Sequence, residues 1–306
     1  MEIFLIMSKG VVQVNLTIGF GNNLFQYCFG RLIAEKNNLN LNHREIKEFS
    51  IAKSLNPVDS NLKTIVIDDS NYIQAFNSDL SSNNVIVNGY FEDYRIYKNN
   101  MQKIRSWFPP VKKTNPNDLI LHLRLQNRLI QKTHHRNHIS AEGYIKGINK
   151  FDFDRLHIIT DAKKWANYTL QDLEEIRHEV QIGPNPSLRS PWVDINKSEE
   201  YINHLIEGLN SLNPIVHCNN EPVIEGSGGL RSGHMKDFDF IRTFNNVMIF
   251  NSTFSWWAAF LSDAENVGTW EPWKPNKGAK NKNLGRTTYD GWFSWGTTED
   301  LYWDEV

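Results

Sequence analysis

Apolar residues in this chain come in short runs set between helical patterns, and that alternation restricts it to one broad architecture. Ile65-Val66-Ile67, Val85-Ile86-Val87, Leu119-Ile120-Leu121, Leu156-His157-Ile158-Ile159, Ile215-Val216 and Val247-Met248-Ile249-Phe250 are brief and near-continuous, as strands buried on both faces are. A further strand is read from Val11 to Ile18. A Gly-rich turn follows, and Leu24, Tyr27, Cys28, Leu32 and Glu35 then recur at the spacing of one helical face. Strand, turn and helix in that order open a βα unit, and its repetition predicts an α/β fold. The hydrophilic stretch from Phe108 to Asn117 reads as a linker, which predicts domains over residues 1–112 and 113–306. The Asn-rich segment Asn37 to Asn42 and the Lys/Asn/Gly-rich segment Lys274 to Arg286 read as loops.

The chain has 306 residues, 40% of them hydrophobic and 22% charged, which is enough to bury two cores. A net charge of -2 lacks the basic excess expected of a protein whose partner is nucleic acid. Cys28 and Cys218 are the only cysteines, so neither a disulfide framework nor a cysteine-rich zinc site is expected, and a reducing compartment fits. The segment from Met1 to Leu16 is interrupted by Glu2, Lys9 and Gln13, which suits strands better than a secretory signal. No run approaches the roughly 18 uninterrupted apolar residues of a membrane span. These features lead us to expect a cytoplasmic protein, or a catalytic piece that has lost its anchor.

Three segments carry the chemistry. In Asn251-Ser252-Thr253-Phe254-Ser255-Trp256-Trp257 an apolar strand gives way to an apolar helical run at small hydroxyl residues. The first amides of a helix lack intrahelical acceptors and sit at the positive end of its dipole, so Ser252, Thr253 and Ser255 there form a phosphate seat, or Ser252 or Thr253 simply caps the helix. Gly19-Phe20-Gly21-Asn22-Asn23 supplies glycines for a sharp turn and close ligand approach, with Asn22 as helix cap the alternative. It lacks the third glycine of a dinucleotide fingerprint and the Lys-Ser/Thr pair of a P-loop. Leu119-Ile120-Leu121-His122-Leu123-Arg124 places His122 and Arg124 on one face near the carboxyl end of a strand, where open α/β sheets bind ligands. A guanidinium there can grip two oxygens of a pyrophosphate.

Together, Gly19 to Tyr27, Asn88-Gly89-Tyr90-Phe91-Glu92-Asp93, His122-Leu123-Arg124 and Asn251 to Leu261 resemble, in order, four landmarks of the α-1,2-fucosyltransferases: G-x-G-N-Q-x-F-Q-Y, G-Y-F-Q, H-x-R-R-x-D and N-S-[ST]-[FY]-S-W-W-A-A-x-L. The resemblance implies a GT-B architecture, two Rossmann-like domains facing a cleft, with the carboxyl-terminal tail crossing back onto the first. It implies inverting transfer of L-fucose from GDP-fucose to a hydroxyl of an oligosaccharide or other glycan acceptor, with no metal or other cofactor. By position, Arg124 grips the donor pyrophosphate, His122 supports it, and Gly21, Asn23, Ser252, Thr253, Phe254 and Ser255 line the donor seat. Asn22 then bonds at the reaction centre, as the corresponding asparagine does in the related protein O-fucosyltransferases. Leu125 and Asn127 stand where the pattern has its second Arg and its Asp, and Arg128 is the nearest substitute cation. That departure keeps open another donor, such as a UDP-sugar, or a carbohydrate-binding homologue without turnover.

An inverting transfer needs an acceptor for the hydroxyl proton. Glu92 and Asp93, after an apolar strand, are the candidates, with solvated loop carboxylates as the alternative. Asp161 ends another strand, placed for nucleotide contact or for helix capping. Asp237-Phe238-Asp239 has the spacing of a cation-binding pair but precedes a helical stretch it is expected to cap, and Asp68-Asp69 reads as a loop pair. His134, His135 and His138 lack a completing Cys or carboxylate and read as loop histidines. Trp270, Trp273, Trp292, Trp295 and Trp303 read as packing residues of the tail.

Overall fold

The structure is a computed structural model and describes residues 9–17, 19–130, 138–182, 194–222, 232–250, 252–270, 291–296, 300 and 302. These residues group into two compact units. Residues 9–17 and 22–109 form the first, and residues 19–21 with the described residues from 110 onward form the second. The division at Pro109/Pro110 falls inside the stretch read as a linker.

In the first unit the order is β1 (Val11–Val14), α1 (Phe20–Lys36, whose first residues group with the second unit), β2 (Asn40–Asn42), β3 (Lys63–Ile67), α2 (Tyr72–Asn77), β4 (Asn83–Val87), α3 (Tyr94–Lys98) and α4 (Met101–Arg105). Its four strands are parallel, in the order β2-β1-β4-β3. Two expectations change here. α1 is not a one-faced helix: Leu24, Phe25, Tyr27, Cys28, Phe29, Leu32, Ile33 and Ala34 are all buried, so the segment is apolar nearly all round and sits inside its unit. The Asn-rich segment is not a solvated loop, because Asn40–Asn42 pairs with β1 and its amides serve as internal connectors. Asn37 donates to the Ile33 carbonyl and accepts from the Leu80 N–H, while Asn42 exchanges bonds with Asn56.

The second unit runs β5 (Asn115–Leu123), α5 (Ala141–Ile148), β6 (Leu156–Thr160), α6 (Leu170–Ile182), α7 (Ile195–Asn210), β7 (Ile215–Cys218), α8 (His234–Ile241), β8 (Phe244–Ile249), α9 (Thr253–Ser262), β9 (Asn266–Thr269) and β10 (Phe293–Ser294). Its six strands are all parallel, in the order β10-β9-β8-β5-β6-β7. Counted from β5, that is the doubly wound order of dinucleotide-binding sheets, with the winding direction reversing between β5 and β8. At such a reversal the connecting segments leave to opposite sides and open a crevice at the carboxyl ends.

Strand alternation assigns the two faces of this sheet. Leu119, Leu121 and Leu123 of β5 share a core with Ile158 and Met248 and with Tyr144 and Ile148 of α5 and Tyr201, Ile202, Leu205 and Leu209 of α7. Each buried side chain of this size contributes about 1.5–3 kcal/mol. His122 points to the other face, where its ring lies 5.5 Å from that of Phe254 on α9. Trp256 and Trp257 are fully buried, Trp256 stacking on Phe260 at 5.0 Å. The described part of the tail packs on this same unit, not on the first: β10 pairs with β9, and Trp270 and Trp295 lie in the core beside Phe250. Trp292 packs against Trp256. Residues 271–290, with Trp273, and Trp303 lie outside the described residues. No helix among those described is long and apolar enough to cross a membrane.

Candidate functional site at the carboxyl edge of the second sheet

The reversal between β5 and β8 is occupied by the two segments singled out in the sequence. His122 is the penultimate residue of β5 and Arg124 follows its end; Ser252 and Phe254 sit where β8 gives way to α9. With Thr160 at the end of β6 and Asp161 after it, Asn219 after β7, and His234 and Asp237 on α8, they line one hollow that opens to solvent.

Several lining groups have no partner among the described residues. Arg124 makes no hydrogen bond or ion pair among the described residues. His122 is buried, and its Nδ1 has no hydrogen-bond partner. Burial first, and then the Arg124 and Arg128 cations, push its pKa down to about 3, so the imidazole is neutral near pH 7. Ser252 occupies the N-cap position of α9 with extended backbone angles, yet its side chain does not cap, and its buried Oγ lacks a partner. The plain capping alternative therefore fails for Ser252, and a polar hydrogen is left available to the hollow.

Helix starts converge on the same place. The ring of Phe20, at the first residue of α1, lies 5.6 Å from His234 and 5.1 Å from Phe238 on α8, and 5.9 Å from Phe254 on α9. A Cβ on Gly21 would stand 2.5 Å from the Thr253 carbonyl carbon and 2.6 Å from the Phe254 nitrogen. Gly21 therefore allows the chain at the start of α1 to lie against the first turn of α9, a packing role. Neither first turn contains an acidic residue. A helix start carries about half a positive charge, so the start of α9, whose Ser252 and Phe254 line the hollow together with Arg124, makes an anion-attracting corner.

Other expected residues do different work. Ser255 Oγ donates to the Ser252 carbonyl at 3.1 Å and is fully buried, so its hydroxyl is spent inside α9. Thr253 begins α9 against Gly21. Asp161 lines the hollow but caps no helix; it accepts the Leu125 N–H at 2.6 Å and fastens the chain leaving β5 to the end of β6. Asp237 is in the first turn of α8 and not at its cap, which is Gly233 at φ +78°. It faces the hollow and accepts from Asn219 Nδ2 at 2.7 Å, with its pKa raised by burial. Asp239 instead pairs with Arg242, so the two acids do not share a ligand. Among the described residues no group of His, Cys, Asp and Glu is arranged to hold a metal. Arg128, the nearest substitute cation, is buried over the Phe250 ring at 5.8 Å and is not among the residues lining the hollow, with burial and then Arg124 lowering its pKa to about 10. Leu125 is buried. His138 stacks on Tyr201 and donates to the Arg128 carbonyl, while His134, His135 and Asn251 lie outside the described residues.

Asn22, Asn23, Glu92 and Asp93 belong to the first unit. Asn22 and Asn23 lie in the first turn of α1, both partly buried, and Asn23 Oδ1 has no hydrogen-bond partner. Asp93 is not a solvated loop acid or an available base. It caps α3 by accepting the Arg95 N–H, binds the Arg95 guanidinium, and accepts from the Tyr72 hydroxyl at 2.6 Å. Asp69 takes the N–H groups of Tyr90 and Phe91, and Asp68 that of Ser70. The sequence reading passed over Asn219, His234 and the buried Gln26, which accepts the Thr17 N–H and donates to the Gly89 carbonyl, bridging two strand ends of the first unit. Asn219 bore the same signal as Arg124, a polar residue directly after an apolar strand. No protein-family model and no curated protein matches the chain.

Proposed function

We propose that the chain is an inverting glycosyltransferase of GT-B arrangement that transfers L-fucose from GDP-fucose to a glycan hydroxyl. The observation that carries the reading is the set of unspent donors at the β5/β8 reversal: Arg124, which has no partner among the described residues, and the buried, unsatisfied Ser252 Oγ, beside the start of α9. A glycosyl diphosphate needs such groups, because negative charge grows on the departing diphosphate as the anomeric bond breaks. Arg124 and the helix amides meet that charge without a divalent cation. His122 adds no charge, being neutral, and its free nitrogen offers one further polar contact.

The resemblance in four ordered motifs supports fucose as the sugar; Leu125 and Asn127, which depart from it, make donor identity the point to test. Thermal melting with GDP-fucose, GDP-mannose, UDP-glucose and UDP-xylose, followed by assay of nucleotide release, tests it. Stabilisation and turnover with GDP-fucose are expected. A response to a UDP-sugar alone reassigns the donor, stabilisation by GDP-fucose without release across an acceptor panel favours a binding protein, and no response to any nucleotide sugar refutes the proposal.

A further inference from the structure

We infer that Asp161 is a positioning residue: it sets where Arg124 stands in the hollow and acts on a bound diphosphate through that side chain. The assignment rests on the transferase reading above. Every residue it involves belongs to the second unit.

Arg124 needs something other than its own side chain to fix it. Its guanidinium has no hydrogen bond or ion pair among the described residues, and it follows the last residue of β5, where the ladder to the neighbouring strand stops. β5 and β6 stay in register up to Leu123 opposite Thr160. At that point β6 turns its own groups elsewhere. The Thr160 carbonyl accepts the Asn219 N–H at 3.1 Å, and the Thr160 hydroxyl accepts the Ala162 N–H at 3.1 Å. The Leu125 N–H, one residue past Arg124, is met by a side chain instead: Asp161 Oδ1 accepts it at 2.6 Å. The carboxylate thus adds one more tie between the two chains after both strands have ended.

Both ends of the tie are anchored. Leu123 and Leu125 flank Arg124 and are buried in the same core, and the Leu125 carbonyl accepts the Leu129 N–H at 2.9 Å. Asp161 is flanked in turn by Thr160 and Ala162, both buried, with Ala162 in that core. Arg124 therefore rises from a fixed point between two held leucines, with its side chain among the residues that line the hollow.

A carboxylate is the wrong charge for this place unless the bond it makes matters. Asp161 also lines the hollow, where its negative charge opposes the anion that Arg124 and the start of α9 attract. A charged acceptor, however, holds an amide roughly twice as strongly as a neutral one. The tie secures alignment. A guanidinium fork binds two phosphate oxygens only in one geometry, and a misplacement of about 1 Å in such a group can cost about 10²-fold in rate.

Loss of the charge and loss of the tie act on GDP binding with opposite signs. Asp161→Asn removes the charge and keeps an oxygen that can accept the Leu125 N–H, whereas Asp161→Ala removes both. Titration calorimetry is expected to show GDP binding within about threefold of wild type for Asp161→Asn and a loss of about 10-fold for Asp161→Ala. GDP release from GDP-fucose falls further in Asp161→Ala, by about 10²-fold, because the transition state depends more on alignment than the ground state does. The deciding arm is a double-mutant cycle. With Arg124→Ala already in place, Asp161→Ala changes GDP affinity by less than about twofold, since no guanidinium is left to misplace. Asp161→Glu keeps the charge but lengthens the arm, and it serves where the alanine variant does not fold; a loss of at least about threefold is expected from it, again absent beside Arg124→Ala. Equal losses with and without Arg124 overturn the assignment and make the residue merely structural. Tighter GDP binding by both Asp161→Ala and Asp161→Asn overturns it in favour of charge alone, and equal losses in those two variants overturn it in favour of direct ligand contact. Wild-type protein that does not bind GDP sinks the transferase reading and this assignment with it, whereas wild-type binding without coupling in the cycle sinks the assignment alone.

Discussion

Replacing Arg124 by alanine separates a binding role from a structural one, because the guanidinium has no partner within the described protein. Truncation therefore removes no internal bond. It also removes a cation that contributes to lowering the pKa of both His122 and Arg128, so the empty protein is expected to keep its melting temperature or gain slightly. The loss falls on the ligand. Hydrogen bonds to charged groups are worth about 1.5–3 kcal/mol, and a bidentate guanidinium–phosphate contact sits in that range. The GDP dissociation constant is then expected to rise roughly 10- to 150-fold, measured by titration calorimetry. Arg124→Lys retains the charge without the planar fork and should fall between the two. The reasoning is refuted if GDP binding weakens by less than about threefold, or if Arg124→Ala destabilises the empty protein by more than about 1 kcal/mol.

Other substitutions probe the same corner and its supports. His122 has a folded pKa of about 3 against 6.5 when unfolded, so the unfolded chain binds the extra proton. The stability this group contributes is complete above pH 6.5 and is lost as pH falls toward 3, reaching about 2 kcal/mol of loss by pH 5. Urea unfolding of the wild type should show that loss between neutrality and pH 5, while His122→Asn should not. Ser252→Ala should leave the empty protein as stable or more so and weaken GDP binding by about 0.5–1.5 kcal/mol; a marked drop in melting temperature would reveal a structural role for the hydroxyl. Gly21→Ala places a methyl within 2.6 Å of α9 backbone and should cost about 1–3 kcal/mol by chemical denaturation. Asp93→Ala removes the α3 cap and strands Tyr72 and Arg95, so a loss of about 2–4 kcal/mol is expected, and a neutral outcome would contradict the network.

The parallel α/β class was legible because each of the six short apolar runs named coincides with a strand: the central β4, β5, β6 and β8 are largely buried, while Val66 of β3 and Ile215 of β7 are exposed at sheet edges. What was not legible depends on partners distant in sequence. β2 consists of Asn40, Leu41 and Asn42 and exists because β1 offers an edge and Asn56 satisfies the Asn42 amide. β5 starts at Asn115, through polar residues and a register shift before Leu119 that no periodicity marks. In the site, His122, Arg124 and Ser252 were visible because a polar residue at the end of an apolar strand is a local signal. Asp237 and His234 reach the hollow on α8, whose placement against α9 and the sheet is not encoded locally. Asp93 looked like Glu92 in sequence; only the formation of α3 tells the capping acid from the idle one.

The lining of the hollow weakens the protein that carries it. A helix start without first-turn acids, a guanidinium with no partner among the described residues, a buried hydroxyl and a buried imidazole nitrogen each raise the free energy of the empty state. A single anion with several oxygens relieves the charge and can accept from the hydroxyl and the amides together, and the relief appears as ligand-induced stabilisation that grows with concentration over the dissociation constant. Substitutions at Arg124 and Ser252 should accordingly move the two readouts in opposite directions, with the empty protein steadier and the GDP-induced shift smaller. Substitutions at Gly21 and Asp93 should lower the stability of the empty protein, because those residues serve the frame. If Arg124 and Ser252 instead behaved like Gly21 and Asp93, the corner would be structural and the anion-binding interpretation would have no basis.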